Sequence, residues 1–406
     1  MASLLNLPLE ITHQILSELA GLSPEPGLDV FLSQDEPQLF DADRLNLGLS
    51  SMAKLCRTCH QLRESVEPQL NRFIYIPNAD AKHLLSILRK WNARPHCAEY
   101  TRYLAIRAKQ PRSSAALENI ADPDLVLVSN LVKQLNLQLR SDWYEFSWRV
   151  DILIELVMFM ARNLRWIDVS FTPKKGIYRG SFDWLRGVDG SAMSIRFDHL
   201  RHLKLFQSGS LTMDEIQPLI DRAPNLENLY LDTVQFTNHK SRLPTSLTGL
   251  CLTGCSITPA IFESVTTDMD KLCHLRYDKT SLRQQSPMMR AFAKHGTTLK
   301  SLLVYFHLDP RLEVDLPLDT FKSLESLTTD LRSFGQGGGS QLMRLLPCSL
   351  RELRVVSFGG LQKHQLCSFA DELSDREKRL SRHLAVYIDG AEGMFDYQRL
   401  RRDMTG

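Results

Sequence analysis

The second half of the chain carries a regular alternation of apolar and polar positions. The template L-x-x-L-x-L recurs in LRWIDV from Leu164, LRHLKL from Leu200, LENLYL from Leu226, LTGLCL from Leu247, LCHLRY from Leu272, LKSLLV from Leu299, LESLTT from Leu324 and LRELRV from Leu350. Successive starts lie 36, 26, 21, 25, 27, 25 and 26 residues apart. All but the first interval fall in the period of a leucine-rich repeat. Looser copies stand at TRYLAI, near Thr101, and SRHLAVYI, near Ser381. Between the strands, TMDEIQPLIDRAP, ITPAIFESVTT, SPMMRAFAKHG and GSQLMRLLPC each read as a short helix or turn. One such unit cannot bury its leucine face alone, but stacked units share a core. The pattern therefore predicts an α/β chain whose parallel sheet runs from about 164 to 388 and forms a curved solenoid with a C-terminal cap (164–406).

The first 76 residues have helical spacing instead. Leu7, Ile11, Ile15, Leu16 and Leu19 recur on one side of a segment that Pro8 opens and Glu10 follows, which suits the first turn of a helix. A second apolar stripe, Leu49, Met52, Leu55, Cys56, Cys59 and Leu62, predicts a helix resuming near Leu45. Between them, residues 21–43 hold six acids, no Lys or Arg, and several Pro and Gly, the composition of an exposed loop. Residues 77–163 contain three helix-like runs and read as irregular first repeats or a linker.

LPLEITHQIL, followed by a helix ending LCRTCHQLRESVEPQLNRFIYIP, resembles the F-box of fungal F-box proteins, and the repeats after it resemble the F-box/leucine-rich-repeat class. The resemblance covers roughly 4–76 and 160–390; the insert at 21–43 is longer than the connection in that module. It implies a small all-α module at 1–76 that docks a Skp-type adaptor, itself joined to a cullin scaffold. Leu7, Pro8, Leu9, Glu10 and Ile11 stand at the matching positions. It further implies that the repeats hold a protein substrate for ubiquitin transfer, with no catalytic residue and no cofactor in this chain. The alternatives are a repeat scaffold with no link to ubiquitin, and a metal- or haem-binding protein using Cys56, Cys59 and His60.

Composition narrows these readings. With 49 Lys plus Arg against 47 Asp plus Glu, the net charge of +2 gives no call for nucleic acid. The N-terminus lacks the basic and apolar regions of a secretory signal, and no run of 18 apolar residues exists. The expectation is a cytoplasmic or nuclear protein, away from membranes, whose eight cysteines stay reduced. Cys56-Arg57-Thr58-Cys59-His60 matches a haem attachment string but sits within a helical stripe. Gly335-Gln-Gly-Gly-Gly-Ser340 lacks the Lys-Ser/Thr ending of a phosphate loop. Strand alternation selects the binding face: residues beside the leucines point away from them and should line the concave sheet. These are Trp166, Asp168, His202, Lys204, Phe206, Asn228, Tyr230, Asp232, His274, Arg276, Asp278, Tyr305, Asp330, Glu352 and Arg354.

Overall fold

The computed structural model describes residues 42–58, 60–108, 120–137, 149–171, 195–279, 285–306, 318–329, 346–356, 385–390 and 393–396. The chain divides into two compact units, one running to Gly209 and taking in Pro218–Leu226, the other formed by 210–217 and the chain from Glu227 onward. Most of the acidic loop and the segment Leu7–Ile11 lie outside the described residues.

The first unit opens with two helices, α1 (Ala42–Leu55) and α2 (His60–Leu70). The single helix predicted here breaks between them. Backbone N–H groups of Arg57 and Thr58 bond to carbonyls three residues back, a tightened end that stops α1. Then come β1 (Phe73–Ala79), α3 (Ala81–Ala93), α4 (Pro95–Tyr100), β2 (Tyr103–Ala108), α5 (Asp122–Gln134), α6 (Arg149–Met160), β3 (Trp166–Phe171) and β4 (His202–Thr212). Strands β1 to β4 pair in parallel, each with the next. The parallel sheet therefore begins at Phe73, well before Leu164.

The second unit continues from α7 (Met213–Asp221), which spans the junction between the units, to β5 (Asn228–Gln235), β6 (Gly249–Thr253), α8 (Pro259–Val265), β7 (His274–Lys279), α9 (Gln285–Ala293) and β8 (Ser301–Phe306). It ends with β9 (Ser326–Thr329), β10 (Glu352–Val356), β11 (Ala385–Gly390) and β12 (Gly393–Asp396). Strands β5 to β11 pair in parallel, and β12 turns back antiparallel on β11. The protein is thus a mixed α/β chain dominated by parallel sheet. No helix among the described residues is long and apolar enough to cross a membrane.

One backbone contact sets the strand register. The carbonyl of Cys273 accepts from both Lys300 N (2.7 Å) and Ser301 N (3.0 Å), and the carbonyl of Lys300 accepts from Glu325 N and Ser326 N in the same way. The same clasp recurs at Arg72, Arg102, Arg165, Glu227, Thr248 and Glu325. It fixes the phase of alternation, since a slip of one residue would turn every side chain to the other face. Leu229, Leu250, Leu275, Leu302, Leu327 and Leu353 consequently form one in-register row, each at most 1% exposed.

Polar residues just before each strand reinforce the stacking. Thr298 Oγ1 donates to Leu272 O (2.9 Å), Ser323 Oγ to Thr297 O (2.6 Å) and Ser349 Oγ to Leu324 O (2.8 Å). In the first unit Asn163 Nδ2 donates to Glu99 O (2.9 Å) and Asn225 Nδ2 to Asp198 O (2.8 Å). Short helices cover the leucine side. Thr258 caps α8 by accepting from Ile261 N, with Pro259 in the first turn. Phe262 of α8 meets Phe292 of α9 edge to face at 4.8 Å. Helix α6 is buried nearly throughout, and Glu155 within it is fully buried with partners of its own.

Two register-equivalent positions have left-handed backbone, Thr233 at φ 56° within β5 and Gly254 at φ 61° just after β6. A Cβ at Gly254 would also stand 3.2 Å from Thr233 Cγ2. Gly254→Ala should therefore cost about 1–2 kcal/mol, the left-handed penalty for an L-residue. Denaturant unfolding of wild type and variant checks it, and an unchanged midpoint would refute the account.

Candidate functional site

The face opposite the leucines is organised in rows that cross the strands. In the first unit the outermost row is Phe73, Tyr103, Trp166 and His202. Phe73 and Tyr103 stack at 4.4 Å with their planes 2° apart, and Trp166 and His202 at 4.4 Å and 24°. Parallel pairing holds rings at the strand spacing, close to a stacking distance, which is why the row is aromatic. Arg72 lies over both Phe73 and Tyr103, at 5.8 and 5.5 Å. Trp166 is 1% exposed, and its Nε1 finds no hydrogen-bond partner among the described residues.

The next positions carry charge. Asp168, 2% exposed, takes a bidentate pair from Arg107: Nη1 to Oδ1 at 2.6 Å and Nη2 to Oδ2 at 2.9 Å. The Arg107 guanidinium also sits 4.7 Å from the centre of the Phe206 ring, and Lys204 Nζ sits 4.1 Å from it. Lys204 is fully buried, with further partners.

In the second unit, Tyr230, Cys251, Arg276, Leu303, Thr328, Arg354 and Tyr387 form one row, and Asp232, Thr253, Asp278 and Tyr305 the next. Burial pushes the Tyr230 phenol far above its ordinary pKa, and Cys251 beside it adds to the effect. Tyr230 is therefore a neutral hydrogen-bonding group at any physiological pH. Arg354 lies 5.7 Å from the centre of the Tyr387 ring.

The predicted face residues thus fall into two groups. Trp166, Asp168, Lys204, Asn228, Tyr230, Arg276 and Tyr305 are buried by their neighbours in the row, since adjacent strands are too close for side chains of this size to stand apart. His202, Phe206, Asp232, His274, Asp278, Glu352 and Arg354 are half-exposed and form the part an incoming molecule would meet. Asp330 and Leu7, Pro8, Leu9, Glu10 and Ile11 lie outside the described residues. The alternation rule omitted Phe73, Tyr103 and Arg107 because FIYIP and TRYLAI carry no opening leucine; Asn71 and Thr101 stand there instead, both buried.

The remaining sequence candidates are described only in part. Cys56 sits in the turn that ends α1, and His60 pairs with Glu64 at 3.5 Å on an exposed surface. Cys59 and Gly335–Ser340 lie outside the described residues.

A cleft of about 300 Å³ that no motif signalled lies where α8 and α9 end, lined by Glu263, Thr266, Asp270, Lys294, His295 and Thr298 among others. Its threonines donate to their own backbone, Thr266 Oγ1 to Phe262 O and Thr298 Oγ1 to Leu272 O. Glu263 pairs with Lys294. His295 is nearly buried and contacts Thr266 Oγ1 at 3.1 Å.

Two predictions follow from this geometry. Asp168→Ala leaves a guanidinium that is only 28% exposed without its anion, and should cost roughly 1.5–3 kcal/mol in unfolding free energy; Asp168→Asn should cost less. Burial, first, holds His295 below its ordinary pKa of 6.5. The unfolded chain then takes up that proton before the folded one does. Stability is intact above 6.5 and declines as pH falls below it toward the folded value. Unfolding midpoints at pH 7.5 and 5.5 should therefore fall less in His295→Gln than in wild type. Comparisons of the chain with protein-family models and with curated proteins found no match in either.

Proposed function

We propose that this chain is a non-catalytic recognition protein, a leucine-rich-repeat solenoid behind an F-box-like module, serving as the substrate receptor of an SCF-type cullin ubiquitin ligase in the cytoplasm or nucleus. The observation that supports recognition is the row structure of the sheet face. In the second unit, half-exposed Asp232, Asp278, Glu352, His274 and Arg354 share the face with buried Tyr230, Arg276 and Tyr305. A mixture of both signs with aromatics suits a protein surface. The adaptor half of the proposal rests on the LPLEI segment, which resembles the start of an F-box. A receptor of this kind breaks no bond itself; it raises the local concentration of a substrate lysine beside the ubiquitin thioester.

The two halves can be tested apart. Pro8→Ala with Leu9→Ala should release the Skp-type adaptor, with an anchor loss of about 2 kcal/mol or roughly thirty-fold in affinity. Circular dichroism and capture of substrate by the repeats should be unchanged. Asp278→Ala with Arg354→Ala should do the reverse, keeping adaptor and losing substrate. Co-purification of the adaptor at wild-type level with the first double variant would remove the ligase reading.

A further inference from the structure

Helices α2 and α4 pack together in the first unit and bring three side chains of metal-ligand type to one point. Glu67 comes from α2, His96 and Cys97 from α4, and their ligand atoms all lie within 4.8 Å of one another. Cys97 Sγ stands 3.9 Å from Glu67 Oε1. The three differ in depth: Cys97 is fully buried, Glu67 half-buried and His96 exposed. We propose that Glu67, His96 and Cys97 bind a zinc ion that staples α2 to α4, with water in the fourth position. The proposal is independent of the adaptor reading.

The donor set selects the metal. A thiolate, an imidazole and one carboxylate suit zinc, whereas calcium and magnesium call for a shell of oxygens. Tetrahedral bonds of roughly 2.0–2.3 Å place ligand atoms about 3.3–3.8 Å apart. The cluster is therefore slightly open, and the exposed His96 ring, whose centroid lies 5.8 Å from that of Tyr100, is the part that would move to close it. The backbone already holds the other two. Thr101 Oγ1 contacts both Cys97 O (3.2 Å) and Asn71 O (3.0 Å), tying α4 to the turn after α2.

Charge is the main opposition. Arg94 Nη1 lies 3.2 Å from Glu67 Oε1, and Lys90 binds Asn71 Oδ1 nearby. The Arg94 side chain is 57% exposed, so its pair with Glu67 is weak and displaceable by a divalent ion. Ionised Glu67 and Cys97 then balance the two charges of zinc. Forming the Zn–S bond requires loss of the Cys97 thiol proton, which passes to buffer. Zinc uptake should therefore weaken as pH falls.

The test uses the full chain, stripped with chelator and refilled with zinc or with cobalt(II) as a spectroscopic probe. One zinc per chain should survive dialysis, and cobalt should show a thiolate charge-transfer band. Cys97→Ser should abolish that band. His96→Ala, at an exposed position that leaves the fold intact by circular dichroism, should weaken zinc at least ten-fold and remove the rise in melting temperature that zinc gives the wild type. Failure of the wild type to retain zinc overturns the proposal. So does zinc binding by His96→Ala and Cys97→Ser at wild-type affinity, which would place the metal on others of the chain's 12 histidines.

Discussion

The structure depends on a single repeated contact, one carbonyl that accepts two successive N–H groups from the strand that follows. It appears at Arg72, Arg102, Arg165, Glu227, Thr248, Cys273, Lys300 and Glu325. Each clasp starts a strand at the same place relative to its neighbour. The leucine rows, the ring stacks and the charge rows are consequences of that alignment, because side chains in a parallel ladder are brought beside their counterparts at the strand spacing. Hydroxyl and amide side chains just before the strands, Asn163, Asn225, Thr298, Ser323 and Ser349, add a second tie across the same step. Each bonds a backbone carbonyl just before the preceding strand.

That alignment also explains why the candidate recognition face is half buried. A lysine, an aspartate and a tryptophan can lie at 2% exposure or less when Phe206 of the same strand covers the lysine and adjacent strands supply Arg107 and His202 for the other two. The buried members are paired or stacked within the rows, and the half-exposed members share the same face.

The helices around the first two strands follow a different logic. α2 and α4 end where β1 and β2 begin, and Asn71 and Thr101 occupy the place that leucine holds in later units. Their polar groups are used locally: Asn71 Nδ2 donates to Glu67 O and its Oδ1 accepts from Lys90, while Thr101 bonds to Cys97 O. The start of the sheet is therefore tied to helix termini by hydrogen bonds where the later units rely on apolar burial.

Much of this was legible in the chain itself. The spacing of LENLYL, LTGLCL, LCHLRY, LKSLLV and LESLTT was enough to place β5 to β9, because period-two alternation repeated at a near-constant interval has few other solutions. The segments that form α7, α8 and α9 were likewise read as short helices or turns between strands. The sheet's true beginning at Phe73 was not, since a buried asparagine or threonine in the leucine position breaks the pattern while keeping the hydrogen bonds. Burial on the opposite face was also invisible, because it depends on which side chain the next strand brings alongside, some 25 residues away. For the same reason only the folded chain brings Glu67 to His96 and Cys97: local spacing reports neighbours on one helix, and these side chains come from two.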